Sequence, residues 1–189
     1  IHLGRANANQ QMGRVLFDAM KRFPGLRLAA AQGGQFDNVI CSRCDTVVVV
    51  PSGSEAAFEE FIRTYDAVLK NEYAGCDDGI ALSCAAAEVS AAVSAAATST
   101  MLHVLLVLPQ GVQAMSVDFP GLVQTSLNMG VLRLKEDGLH VTFSIRSCIA
   151  SQKEMLARRV RAIVEFAGGT VTERGNYPGW QYERQSQFR

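Results

Sequence analysis

The sequence predicts an α+β domain in which an antiparallel sheet carries helices packed on one face. Three observations lead there. Between Gln124 and Ser147, two runs with apolar residues at alternate positions flank Glu136-Asp137-Gly138. Asp-Gly between such runs is a strong hairpin signal, because a tight primed turn needs positive φ and Gly adopts it without steric cost. Apolar residues also recur at helical spacing in separate stretches, as they do in helices with one buried face. The strand-like runs come in hairpin-like pairs, giving the order α-β-β-α, a helical connection, then β-β-α-β. Few, long helices against paired strands favour a helix layer on an antiparallel sheet. The two halves share this pattern weakly, as split ferredoxin-like units would.

Residues 7–23 read as the first helix, with Met12, Leu16, Ala19, Met20 and Phe23 at helical spacing and Asn7 or Asn9 as its cap. Pro24-Gly25 ends it. Leu26 to Ala31 reads as a strand, Gln32-Gly33-Gly34-Gln35 as a connection, and Asn38 to Val50 as a second strand. The continuous apolar run Val47–Val50 suits a strand covered on both faces. Ser52 with Glu55 forms a capping box for a helix whose apolar side is Phe58, Phe61, Ile62, Tyr65, Val68 and Leu69, ending near Gly75. Residues 79–108 are rich in Ala and Ser, which predicts one or two helices stopped by Pro109 and Gly111. Residues 112–123 read as irregular loop. After the hairpin, Ser151 and Glu154 form a second capping box. Its helix is lined by Leu156, Val160, Ile163, Val164 and Ala167 and stopped by Gly168-Gly169. A short strand at Thr170–Arg174, a turn at Gly175–Trp180 and a loose polar tail complete the chain.

The 189 residues are 48% hydrophobic, enough for a sizeable core in one domain or two small intimate ones. Formal net charge is +0, which gives no electrostatic case for nucleic acid or an anionic membrane as partner. The longest apolar run, Met101–Leu108, is broken by His103 and far too short to span a bilayer. Five Cys at scattered spacings argue against a disulfide framework and suit a reducing cytosol. The chain opens on Ile1-His2-Leu3 without an initiator Met, which points to a piece of something longer.

The candidate chemistry is sparse. Cys41-Ser42-Arg43-Cys44 has no second pair or His pair at ligand spacing to complete a zinc site. His2, His103 and His140 are isolated, and the acidic pairs Glu59-Glu60 and Asp77-Asp78 read as solvated surface. Neither Gly33-Gly34 nor Gly168-Gly169 has the spacing of a phosphate loop, and there is no nucleophile elbow. Two residues survive. Asn38 follows Gly33-Gly34-Gln35-Phe36-Asp37 at the mouth of a strand, where backbone can approach a ligand closely and an amide can both donate and accept. On the second hairpin strand, Leu139, Val141, Phe143 and Ile145 share one face, and His140, Thr142, Ser144 and Arg146 the other. Arg146 ends that polar face with a rigid fork suited to a carboxylate. From pattern alone, solvated surface is the commoner use of both side chains.

Four pieces carry a resemblance. They are I-H-L-G-R-A-N-A-N at 1–9, G-G-Q-F-D-N-V-I at 33–40, T-S-L-N-M-G-V-L and S-I-R-S across 125–147, and G-N-Y-P-G-W at 175–180. In this order, along essentially the whole chain, they resemble the bacterial aminoacyl-histidine dipeptidases (peptidase D), carnosinase-like dinuclear zinc metallopeptidases. The resemblance covers the lid, or dimerisation, domain that this family inserts into its catalytic domain. It implies that residues 1–189 are a lid domain excised from a two-domain cytoplasmic enzyme cleaving Xaa-His dipeptides such as beta-alanyl-His. The implied partners are the dipeptide, the chain's own catalytic domain and a second copy in a homodimer.

Two zinc ions are implied in the full-length enzyme, bound by His, Asp and Glu outside this chain, with a catalytic Glu acting as base on a zinc-bound water. A His of an H-S-G-G motif that helps stabilise the oxyanion is implied just upstream of Ile1. No catalytic or metal residue is then expected within this chain, which alone should be inactive. Asn38 matches the Asn of the family's G-G-x-x-x-N-A-I-P motif, and Arg146 the Arg of its I-R-S motif. The resemblance implies that Arg146 pairs the substrate's C-terminal carboxylate and that Asn38 hydrogen-bonds nearby when the lid closes. The chain departs from the pattern at Val39 and Cys41, where the family has Ala and Pro.

The competing reading is a stand-alone ferredoxin-like module that binds a small molecule or a protein, which would need a pocket complete within the chain. An RNA-binding sheet is disfavoured, because the strands lack an aromatic platform and a basic balance.

Overall fold

The computed structural model describes residues 1–179; Trp180, the last residue of the turn expected at 175–180, and the polar tail lie outside the described residues. Among the described residues, four helices and five strands follow one another as α1 (Ala8–Arg22), β1 (Arg27–Gly33), β2 (Cys44–Val49), α2 (Glu55–Glu72), α3 (Ala95–Val107), β3 (Gly111–Met115), β4 (Val123–Lys135), β5 (Gly138–Ser147) and α4 (Ala150–Phe166). The strands form one antiparallel sheet, and the α+β class is as expected.

β4 is the spine of that sheet. β5 pairs along one edge from Thr125↔Ser147 to Lys135↔Gly138. The other edge is shared. β3 covers it from Val123 to Leu127, and β1 meets it at Leu132 and Arg133. Residues 128–131 between them have no strand partner on that side among the described residues, and this interruption becomes the centre of the site. The hairpin forms where expected but not through a primed turn: Lys135 pairs with Gly138, the two turn residues Glu136 and Asp137 both keep negative φ, and Gly138, at φ 139°, opens β5.

Alternation sends Leu127, Met129 and Leu132 of β4 into the core, at 0%, 0% and 1% exposure, together with Leu26 and Leu28 from β1 and its approach. Leu139, Val141, Phe143 and Ile145 of β5 pack against them. Leu16, Ala19 and Phe23 of α1, Leu102 and Leu105 of α3, and Leu156 and Val160 of α4 close the same core. α1 and α3 touch closely at Gly13, where a Cβ would sit 3.0 Å from that of Leu105. α2 packs on α1 through a smaller cluster of Val15, Ile62, Tyr65 and Leu69.

Several local expectations are corrected. The second strand begins only at Cys44, and residues 34–43 form a loop held by side chains from β4. β1 runs on through Gln32 and Gly33, because both pair with β2 and β4. β2 is an edge strand, so its valines are half-buried rather than covered on both faces. Neither capping box forms. Ser54, not Ser52, caps α2, and Ile149 caps α4, neither with a side-chain hydrogen bond. The Ser147 hydroxyl accepts instead from the Ile149 N–H at 3.1 Å. Val68 is exposed.

The Ala/Ser-rich region yields one helix, α3. Residues 79–93 are irregular, since Ala propensity without an apolar stripe to bury does not hold a helix. Gly111–Met115 is a strand, because the free half-edge of β4 accepts it. Thr170–Arg174 is not a strand. Arg161 holds it alongside α4, through the Val171 carbonyl at 3.3 Å and Glu173 at 2.8 Å.

Candidate functional site

Opposite residues of an antiparallel pair share a face. Ser126 lies opposite Arg146 and Asn128 opposite Ser144, so these four side chains stand on the face turned away from the packed core. Arg146 is exposed and makes no ion pair or side-chain hydrogen bond among the described residues. Asn38 is exposed in the turn of the 34–43 loop, and its side chain also has no hydrogen-bond partner among the described residues.

The loop reaches this face through β4. The Asn128 amide donates to the Asp37 carbonyl at 2.7 Å and to the Val39 carbonyl at 2.8 Å, holding the backbone on both sides of Asn38. Gly130, the extra residue of a β-bulge between Met129 and Val131, lies directly beneath the loop. A Cβ there would collide with the Phe36 and Asp37 carbonyls. Arg133 grips the loop's first residues, donating to the Gly33 carbonyl at 2.7 Å and the Gly34 carbonyl at 2.6 Å. The Ala8 N–H ties its far end through the Cys41 carbonyl at 2.8 Å.

The interrupted edge of β4 is satisfied by amides. The Met129 carbonyl accepts from Asn7 at 3.0 Å and Asn9 at 3.1 Å, and the Met129 N–H donates to Gln110 at 2.5 Å. Asn7 caps α1 with its side-chain oxygen, which accepts from the Asn9 and Gln10 N–H groups, so its NH2 is left to donate to the Asn128 oxygen at 3.2 Å. Asn7, Asn9 and Asn128 are 2%, 0% and 7% exposed. Buried amides cost free energy unless paired; their NH2 groups converge where backbone carbonyls would otherwise be orphaned, while the Asn9 side-chain oxygen has no partner among the described residues.

The sequence reading named Asn38 and Arg146 and missed this cluster. Asn7 and Asn9 show in the sequence only as possible helix caps, and Gln110 and Asn128 carry no local signal of a site. Only the sheet register brings them together. Cys41 is buried in the loop and Cys44 starts β2. Both are free thiols, Cys44 pushed up to about 12 by burial and Cys41 raised chiefly by burial, so neither is poised as a nucleophile. His140 meets Asp137 at 2.7 Å at the exposed hairpin tip. A cleft of about 270 Å³ opens among His2, Arg5, Asn7, Ile40 and Gln110, and another of about 290 Å³ beside it. Neither is lined by Asn38 or Arg146.

The chain is 31% identical over 187 residues to the cytosol non-specific dipeptidase of Escherichia coli (strain K12), matching 98% of this chain and 38% of that protein. The crystal structure of aminoacylhistidine dipeptidase from Vibrio alginolyticus superposes with a TM-score of 0.87 at 30% identity, again over 98% of this chain and 38% of that one. No protein-family model matches. Over nearly its whole length the chain is thus similar to one portion of these dipeptidases, and it spans well under half of their length. Both relatives are dipeptidases, as the resemblance of the sequence motifs implied.

Proposed function

We propose that this domain is the lid of a zinc-dependent cytoplasmic dipeptidase that hydrolyses Xaa-His dipeptides such as beta-alanyl-His, and that it also supplies contacts for a homodimer. The observation that carries the reading is the match over nearly the whole chain to a single portion of two dipeptidases. The face described above supports it. An exposed guanidinium with no ion pair among the described residues is ready to take a dipeptide's C-terminal carboxylate by two parallel hydrogen bonds. Asn38, held on the same side by its clamped loop, offers a donor and an acceptor to the peptide's polar groups. Together they orient the substrate, which is this chain's share of the chemistry.

Among the described residues no three His, Cys, Asp or Glu side chains converge as a metal site would require. These residues do not fit zinc, and the reading assigns metal-assisted hydrolysis to another part of the enzyme. A self-contained binding module, the alternative, calls for an enclosed pocket of roughly 300–1,000 Å³. The clefts of about 270 and 290 Å³ lie at its lower limit and open to solvent.

The test is the full-length protein assayed on beta-alanyl-His with added zinc, wild type against Arg146→Ala. Loss of one partner of a charge-assisted pair should lower kcat/KM by on the order of a hundredfold or more, with zinc content and fold unchanged. Unchanged activity would reduce Arg146 to a surface residue. A wild-type enzyme without dipeptidase activity would favour the binding module.

A further inference from the structure

We infer that Asn128 is the positioning residue of the site: its one amide clamps both carbonyls flanking Asn38 and so sets where the Asn38 side chain is presented. The inference rests on the substrate-binding reading of Asn38 given above. It is carried by a directed chain of hydrogen bonds. The α1 cap commits the Asn7 oxygen to the helix N–H groups and leaves its NH2 as donor. That donor meets the Asn128 oxygen at 3.2 Å, which fixes the orientation of the Asn128 amide and points its NH2 at the loop. The two N–H bonds of that group then reach the Asp37 and Val39 carbonyls at 2.7 and 2.8 Å.

Asn38 itself is exposed and makes no side-chain hydrogen bond among the described residues, so its backbone supplies the order. Gly130 completes the seat by lacking the Cβ that would lift residues 36–37. Because Asn128 is 7% exposed, water is a poor substitute for either bond. An aspartate there keeps the shape but turns two donors into acceptors facing two carbonyls, which expels the loop.

The experiment uses the full-length enzyme and four forms: wild type, Asn128→Asp, Asn38→Ala and the double variant. It measures kcat/KM on beta-alanyl-His and amide hydrogen exchange across residues 34–41. In Asn128→Asp, kcat/KM should fall on the order of tenfold or more, and exchange should rise in that segment while the core strands stay protected. In the Asn38→Ala background the same change should cost nothing further, since the two residues act through one contact with the substrate. Should Asn128→Asp fail to fold, Asn128→Ala, which buries no charge, replaces it.

Unchanged exchange at 34–41 would overturn the clamp. A loosened segment with additive losses would make Asn128 a general structural residue and overturn its positioning role. A wild-type rate in Asn38→Ala would overturn the role of Asn38, and the positioning role with it. A segment that still loosens in Asn128→Asp would then show that the substrate reading had failed and not the clamp.

Discussion

At the scale of single residues, chemistry follows surroundings more than residue type. The five cysteines are chemically identical in sequence and unlike in the fold. Burial raises the Cys41 thiol and pushes that of Cys44 up to about 12, whereas Cys76 is exposed. Thiolate is the reactive form, and access is required as well. Alkylation of the native protein near neutral pH should therefore modify Cys76 well before Cys41 and Cys44, which should react only on unfolding. Peptide mapping of a brief iodoacetamide pulse reads this directly, and early labelling of Cys44 would contradict the packing of β2 against β1. Asn38 and Arg146 were legible as candidates because an amide after a Gly-Gly turn and a guanidinium ending a polar strand face are local features. Asn128 was not. Its neighbours Leu127 and Met129 mark it only as a solvent-facing strand position, and its partners lie 89 and 91 residues away along the chain.

At the scale of elements, α1 does two tasks at its N-terminus. Asn7 satisfies the helix N–H groups at 3.0 and 3.3 Å, and its NH2 serves the interrupted edge of β4. Replacing a side-chain cap by Ala costs typically about 1 kcal/mol, and leaving a buried acceptor unpaired adds on the order of 1 kcal/mol or more. Asn7→Ala should thus destabilise the domain by roughly 2 kcal/mol or more, measured by urea unfolding. A change of a few tenths would mean that water replaces Asn7 at the Asn128 side-chain oxygen, the Met129 carbonyl keeping its bond from Asn9. The β4–β5 hairpin was the most legible element, since Asp-Gly and strict alternation both act within a few residues. The capping boxes were the least reliable. Ser52 and Ser151 carry the pattern, but the chain enters α2 through a turn closed from Ser54 to Pro51, and enters α4 with Ser147 bonding the Ile149 N–H. Spacing identifies a box only when the helix starts at its first residue.

At the scale of the whole molecule, surface carboxylates tie the outer layer to the rest. Hydrogen bonding from Arg14 on α1 lowers Glu72 on α2, and Lys70 followed by the Leu82 N–H lowers Asp66. Arg43 and His140 likewise lower Asp45 and Asp137. A depressed carboxylate contributes stability above its unfolded pKa, near 4, and loses it as pH falls through the folded value. Thermal stability should therefore decline as pH drops through and below that range, and Glu72→Gln should flatten part of the decline. An identical acid profile in Glu72→Gln would show that the exposed Arg14–Glu72 pair contributes nothing measurable, the usual limit for surface ion pairs. By itself the sequence determined the α+β class, the β4–β5 hairpin and its two faces, the helices with apolar stripes and the two candidate binding residues. Periodicity and turn chemistry act over a few residues and survive in any context. Tertiary structure alone decided that residues 111–115 become a strand, that residues 79–93 do not become a helix, and that four distant amides converge under the Asn38 loop. Each of these depends on which edge, face or orphaned backbone group another part of the chain presents, and that is set only when β4 takes its place between β5 and the shared edge of β1 and β3.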